Sequence, residues 1–395
     1  MKKPLIVQKF GGTSVGSVER IHKVAEHIIK AKNDGNQVVV VVSAMSGETN
    51  RLMELAKQVD SVPTARELDV LLSAGEQVSM ALLAMTLNKL GYAARSLTGA
   101  QANIVTDNQH NDATIKDIDT STIEELLAQD QVVIVAGFQG INENGDITTL
   151  GRGGSDTSAV TLAGALKADE CQIFTDVDGI YTCDPRVVPA AKKLEVIDFP
   201  SMEEMARKGA KVLHLPSVQY AWRHNVPLRV LSTFDDNNGS LVKGDECQNA
   251  VCGVAIQRDM CLIKVEKESL CGLEKQCQML GITIWNVIEQ TEWVGVVIKH
   301  DAYAKLELVF GEKIRNSEMV SLLTTVGLLV EGLIQESYSL LSEQDIEVQH
   351  FAVNPQSLML VLPPDSVDKA ANILHDAYIT SAQAHDCQQK HAFLG

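Results

Sequence analysis

Thr148-Thr149-Leu150-Gly151-Arg152-Gly153-Gly154-Ser155-Asp156-Thr157-Ser158 sets two adjacent glycines, an arginine, an aspartate and several hydroxyls where a loop runs into a helix. Glycine lacks a side chain, so backbone N–H groups there can close on an anion. The predicted helix over 157–166 turns its positive end toward the same spot. Arg152 adds a planar fork suited to a carboxylate. A second glycine loop, Lys9-Phe10-Gly11-Gly12-Thr13-Ser14-Val15, follows a predicted strand near the start of the chain. Two such loops point to phosphate and carboxylate handled together, as phosphoryl transfer to a small acid requires.

Lys9 ends its strand immediately before Gly11-Gly12. There it can act as a point charge against phosphoryl oxygens. A surface lysine at a strand end is the ordinary alternative, and the adjoining Gly-Gly-Thr-Ser tips the balance to function. The loop is not a Walker A, since Gly-Lys-Ser/Thr is missing at the required spacing. Glu76, in Ser73-Ala74-Gly75-Glu76-Gln77, falls in mid-helix beside a glycine. It is either a solvated helix carboxylate or an acceptor for a substrate ammonium. Asp156 can cap the helix that follows, or hold a catalytic lysine or a metal. The stretch from Thr175-Asp176 to Asp184-Pro185-Arg186 brings carboxylates, Tyr181 and an arginine together just after a predicted strand. Tyr181 could line a nucleobase pocket and Arg186 meet a phosphate, although Asp178-Gly179 and Asp184-Pro185 alone would read as turns. Lys211 is a weaker basic candidate, and His214 reads as structural. A carboxylate acceptor is already ionised at pH 7 and needs no general base.

The elements that must position these residues alternate. Strands are predicted over 5–8, 38–42, 132–136, 173–175 and 228–231. The 38–42 run is β-branched throughout, as a buried parallel strand prefers. Val18, Ile21, Val24, Ala25, Ile28 and Ile29 mark one face of a helix. Residues 66–90 read as helix interrupted at Gly75, and Asn144-Gly145-Asp146 as a hairpin turn. The pattern over 1–233 is an open, mainly parallel α/β sheet between helices, with ligands beyond the carboxyl ends of the strands. Asp235-Asp236-Asn237-Asn238-Gly239-Ser240 is turn-rich and marks a boundary. Beyond it two β-α-β-β-α cycles follow, suggesting tandem α+β modules. The expected domains are therefore 1–235, 250–318 and 319–395.

Composition narrows the classes. With 395 residues, 45% of them hydrophobic, the chain has ample material for two or three domains. A net charge of −17 argues against a nucleic-acid coat or a polybasic membrane contact. The eight cysteines include no Cys-x-x-Cys pair and no metal-ligand spacing, so no resident metal site is expected. The apolar run 38–42 is far too short to span a bilayer. A reduced, cytoplasmic protein is the simplest expectation.

Taken in order, these motifs resemble aspartate kinase, the monofunctional type with a C-terminal pair of ACT modules. The resemblance rests on Lys9-Phe10-Gly11-Gly12-Thr13-Ser14, Val42-Ser43-Ala44-Met45, Gly75-Glu76, Gly151-Arg152-Gly153-Gly154-Ser155-Asp156-Thr157, Thr175-Asp176-Val177-Asp178-Gly179-Ile180-Tyr181, Asp184-Pro185-Arg186 and Gly209-Ala210-Lys211-Val212-Leu213-His214. It implies the amino-acid kinase fold followed by two ferredoxin-like ACT modules. It implies transfer of the ATP γ-phosphoryl group to the β-carboxylate of L-aspartate, the first step toward lysine, threonine, methionine and diaminopimelate. Carried over position by position, it makes Lys9, Arg152 and Asp156 catalytic. Thr49, Glu76, Arg152 and Ser155 would hold aspartate. Lys9, Gly11, Gly12, Ser43, Thr175, Asp176, Tyr181, Arg186 and Lys211 would meet ATP, with Mg²⁺ bridging its phosphates. A homodimer or higher homo-oligomer through the ACT modules is implied as well.

The sequence departs from the family pattern at two points in the first 233 residues and more widely over 250–395, where the resemblance is to element order and a few hydrophobic positions. Thr49-Asn50 stands where the family usually has Thr-Asp, and His214-Leu215-Pro216 where it has His-Pro-Arg. The stretches Glu268-Ser269-Leu270-Cys271-Gly272 and Thr325-Val326-Gly327-Leu328-Leu329 lack the Pro-Gly turn common in ACT ligand loops. The expectation is that these modules chiefly mediate dimerisation, with effector binding weakened, lost or changed. Alternatives are a kinase of the same fold acting on glutamate derivatives, carbamate or a nucleoside monophosphate; a same-reaction paralogue of a specialised pathway; and a non-catalytic amino-acid sensor.

Overall fold

Five consecutive valines, 38–42, can be buried on every side only inside a sheet covered on both faces, and all five are fully buried. A computed structural model describes residues 3–210, 212–246, 250–328 and 330–381. The chain divides into two units. The first gathers Met1–Ile180, Leu194–Phe199 and Lys211–Asp245. The second takes Tyr181–Lys193, Pro200–Ala210 and Glu246–Gly395.

Elements run in the order β1 (Leu5–Phe10), α1 (Val18–Asn33), β2 (Gln37–Val42), α2 (Glu48–Val59), α3 (Ala65–Lys89), β3 (Ala94–Leu97), β4 (Ile104–Thr106), β5 (Ile115–Ile118) and α4 (Ser121–Ala128). Then come β6 (Val132–Ala136), β7 (Gln139–Ile141), β8 (Ile147–Thr149), α5 (Gly154–Leu166), β9 (Glu170–Thr175), β10 (Ile180–Tyr181), β11 (Lys193–Leu194) and β12 (Val196–Ile197). After these follow α6 (Phe199–Arg207), α7 (Leu215–Arg223), β13 (Leu228–Ser232) and β14 (Ser240–Val242).

An eight-stranded sheet of order β12-β14-β13-β9-β1-β2-β6-β3 forms the core of the first unit. The pairings of β1 with β2 and β9, and of β2 with β6, are parallel, while β13 and β14 run antiparallel. Strand order reverses between β1 and β9. Such a switch point leaves a crevice at the carboxyl ends where ligands bind. Ser17 caps α1 by accepting from the Arg20 N–H. The helix then buries Ile21, Val24, Ala25 and Ile28 on the sheet. A four-stranded sheet, β5-β4-β7-β8, stands apart from the main one.

The helix α3 runs unbroken through Gly75, which corrects the interruption expected from sequence. Its glycine is there for close approach: a Cβ at Gly75 would lie 2.8 Å from the Ala44 Cβ. Among the described residues, α3 alone is long and apolar enough to cross a membrane. Burial inside this unit accounts for that apolarity, through Leu72, Met80, Leu83 and Leu87.

The second unit continues with β15 (Gly253–Val265), α8 (Leu270–Met279), β16 (Asn286–Glu289), β17 (Val294–Lys299), α9 (Tyr303–Phe310), β18 (Ile314–Val326), α10 (Ile334–Ser342), β19 (His350–Asn354), β20 (Ser357–Leu362) and α11 (Val367–His375). The β-α-β-β-α order thus occurs twice. The two cycles share one antiparallel sheet of order β16-β17-β15-β18-β20-β19. The long strands β15 and β18 pair with each other at the middle. Leu273, Cys277, Leu306 and Phe310 pack on Ile263, Val296 and Ile298 in the first cycle. Leu341, Ala370, Leu374 and Tyr378 pack on Leu323, Leu358 and Leu360 in the second. This sheet is consistent with paired ACT modules.

Candidate active site

The crevice at the β1–β9 switch point is floored by backbone. Gly11 donates its N–H to the Phe174 carbonyl at 3.3 Å, tying the first glycine loop to the end of β9. A side chain at Gly11 would sit 3.6 Å from Lys9 Nζ, and one at Gly12 would press on the Ala44 carbonyl at 2.9 Å. Glycine here keeps open a cradle that any Cβ would fill. Ser43 donates its N–H to the Phe10 carbonyl at 3.1 Å, so the loop after β2 lies beside the loop after β1.

Lys9 reaches across this cradle to Asp156, with Nζ 2.6 Å from Oδ1. Both side chains are largely buried, at 12% and 17% exposure. The carboxylate holds the ammonium in place and compensates its desolvation. Capping, one of two roles expected for Asp156, falls instead to the position before α5: Gly153 is the N-cap residue, at φ +71°. Asp156 lies within the first turn of α5.

The second glycine loop is shaped by three neighbours. Gly151 has φ +70°, and a Cβ there would lie 2.7 Å from Asp112 Oδ1. At Gly153 a Cβ would overlap the His214 ring, which accounts for the histidine as packing. At Gly154 it would meet Phe138 at 2.8 Å. Between them Arg152 is exposed, and no ion pair engages its guanidinium among the described residues. Ser155, half-buried, abuts Gly137.

Glu76 is not the solvated carboxylate that its place in mid-helix allows. It is 3% exposed. Its Oε1 accepts from the Ala44 N–H at 3.1 Å, while Oε2 is buried with no hydrogen-bond partner. Burial pushes its carboxyl up to about 7, against the pull of that backbone hydrogen bond. One turn further, Ser79 donates to the Ser43 carbonyl at 2.7 Å. The helix thereby grips the loop that lines the cradle.

Lys9, Gly11, Gly12, Ser43, Glu76 and Asp156 therefore share one neighbourhood, joined by the contacts above. Thr49, half-buried, is the second residue of α2. Thr175 ends β9 and donates to Asp176 Oδ1 at 3.1 Å. Tyr181 and Arg186 belong to the second unit, where Arg186 pairs with Asp184 at 2.7 Å. Lys211 lies outside the described residues.

Sequence reasoning passed over Asp69. This α3 carboxylate is fully buried and accepts from Thr149 Oγ1 at 2.5 Å, from His110 Nδ1 at 2.6 Å and from the Asn111 N–H at 3.1 Å. A signal was present: Asp69 interrupts the apolar run Leu68-Asp69-Val70-Leu71-Leu72, seven positions before Glu76 and so on the same helix face.

A family model described as the amino acid kinase family matches residues 4–232. An aspartate kinase of Pseudomonas putida is 42% identical over an alignment of 405 positions, covering 96% of this chain and 98% of that protein. Aspartokinase 2 of Bacillus subtilis is 39% identical, covering 95% and 97% respectively. The crystal structure of E. coli aspartokinase III in complex with aspartate and ADP superposes with a TM-score of 0.76 at 25% identity, covering 94% of this chain and 99% of that one. Its complex with lysine and aspartate gives 0.79 at 25% identity, covering 95% and 99%.

Proposed function

The chain belongs to the amino acid kinase family, and within it to the aspartate kinases, and we propose that the crevice built around Lys9, Glu76 and Arg152 is where it phosphorylates aspartate. The enzyme transfers the γ-phosphoryl group of ATP to the β-carboxylate of L-aspartate, giving 4-phospho-L-aspartate and ADP. One bond forms between a carboxylate oxygen and the γ-phosphorus, and the bond from that phosphorus to the β,γ-bridging oxygen breaks. Catalysis is positioning and charge neutralisation, since no proton must be removed from the acceptor.

Lys9 meets the oxygens of the transferring phosphoryl group, with Asp156 holding it in place. The backbone of Gly11 and Gly12, together with Ser43, lines the phosphate path. Glu76 is the observation that carries this reading. A buried carboxylate with one oxygen unpartnered calls for a cation, and the α-ammonium of aspartate supplies it. Arg152 pairs with the α-carboxylate through its planar fork. Thr49 and Ser155 add hydroxyl donors. Thr175 and Asp176 meet the nucleotide. Roles for Tyr181, Arg186 and Lys211 rest on the sequence resemblance.

Mg²⁺ finds no cluster of three His, Cys, Asp or Glu side chains among the described residues. It fits as an ion carried in on the nucleotide, as magnesium commonly is, neutralising phosphate charge. We assign the paired modules to homo-oligomerisation, with effector binding retuned by the missing Pro-Gly turns, and the enzyme to the cytoplasm.

Aspartate-dependent ADP release with Mg²⁺-ATP tests the reading, the acyl phosphate being trapped by hydroxylamine. Hydroxamate that requires both substrates supports it. Folded protein that binds ATP yet yields no hydroxamate overturns it in favour of another acid or an amino-acid sensor. Adding lysine or threonine to the same assay reads the retuned modules.

A further inference from the structure

We propose that Asp69 is a positioning residue for the acceptor substrate, setting Arg152 at its working distance from Glu76. The inference rests on the assignment of Arg152 and Glu76 to aspartate. Asp69 and Glu76 lie on one face of α3, about 10 Å apart along the helix axis. Asp69 touches neither substrate. It ties two segments, distant from each other in sequence, to this helix face. Thr149 Oγ1, three residues before Arg152, donates to its Oδ1. His110 Nδ1 and the Asn111 N–H meet the same carboxylate. The 110–113 segment in turn braces the arginine loop: Ala113 donates its N–H to the Thr149 carbonyl at 2.8 Å. Asp112 Oδ1 and the Asn111 carbonyl come within 2.7 and 3.3 Å of where a Cβ at Gly151 would stand.

The anchor is reinforced along the helix. Arg66 Nε reaches Asp146 on the β7–β8 hairpin at 2.9 Å. Gln139 Nε2 donates to the Ser73 carbonyl at 2.9 Å. Of these three α3 anchors, that of Asp69 reaches the strand end that delivers Arg152. A fully buried carboxylate with three donors converging on it is a rigid joint, and here it joins the loop for one end of the substrate to the helix for the other.

Steady-state kinetics of the full-length protein tests this through the two Michaelis constants, with thermal melts alongside. An ångström-scale misplacement costs up to about 100-fold in rate. Asp69→Ala is therefore expected to raise the aspartate KM about tenfold or more, with the ATP KM unchanged within about twofold. Asp69→Asn keeps an acceptor oxygen for Thr149 and is expected to lie between Asp69→Ala and the parent. Thr149→Val removes one donor only and is expected to raise the aspartate KM a few-fold. It decides alone if Asp69→Ala does not fold. Equal rises in both Michaelis constants, or a lowered melting temperature with the aspartate KM unchanged, overturns the positioning role. A parent enzyme inactive on aspartate overturns the functional reading and this one together, whereas an active parent with indifferent variants overturns this one alone.

Discussion

Replacing Glu76 by glutamine should make the unliganded protein more stable while disabling it. An ordinary glutamate ionises near 4.5, and burial moves Glu76 to about 7. Between those two values the folded chain keeps a proton that the unfolded chain has released, so stability falls as pH rises through the window. At 1.36 kcal/mol per pH unit, the cost of ionising Glu76 in place reaches about 3 kcal/mol above pH 8. Glutamine keeps the acceptor for the Ala44 N–H and never ionises. Denaturant titrations of parent and Glu76→Gln should therefore agree near pH 4 and separate steadily to pH 8, the variant ahead by about 3 kcal/mol. Aspartate affinity of the parent should rise from pH 6 to pH 8, as the carboxylate that meets the ammonium becomes ionised, and the variant should lose this dependence. An advantage that is the same at pH 5 and pH 8, or no advantage at all, would refute the account of Glu76 as a desolvated, substrate-ready charge.

Lys9→Met should leave the fold intact by circular dichroism and lower turnover by about 100- to 1,000-fold, as loss of a transition-state donor does; a variant within about tenfold of the parent would remove Lys9 from the phosphoryl site. Arg152→Lys keeps the charge and loses the bidentate fork, so the aspartate KM should rise with the ATP KM unmoved, as measured by hydroxamate formation. Gly153→Ala meets both the His214 ring and a positive φ. It should destabilise by about 1–3 kcal/mol in denaturant titration; the same change at Gly145, where a Cβ meets nothing within 4 Å, should cost less.

The main sheet was readable because β2 and β6 are almost wholly β-branched and apolar, and the first glycine loop stands at the carboxyl end of β1. The twofold β-α-β-β-α order was legible as an element pattern, without any repeat of residue identity to support it. Gly75 misled because a helical glycine looks the same in sequence whether it breaks a helix or admits a neighbour, and only the Ala44 contact distinguishes the two. Glu76 could be named from resemblance, but its burial depends on the Ser43-Ala44 loop, more than thirty residues away in sequence. Asp69 went unread for the same reason: its three donors come from residues 110, 111 and 149, and no local spacing announces them.

The pairing of β15 with β18 also governs how this half of the chain can be cut or recombined. Each repeat lends the other the neighbour of its longest strand. A truncation at residue 318 would leave most of the β15 hydrogen-bonding edge bare, together with the apolar side chains of Met260 and Leu262 that Val320 and Leu322 help cover. Bare edges of that kind recruit other chains and aggregate. The two repeats are thus a single heritable cassette: chimaeras that exchange both should remain soluble, and those that graft one alone should not.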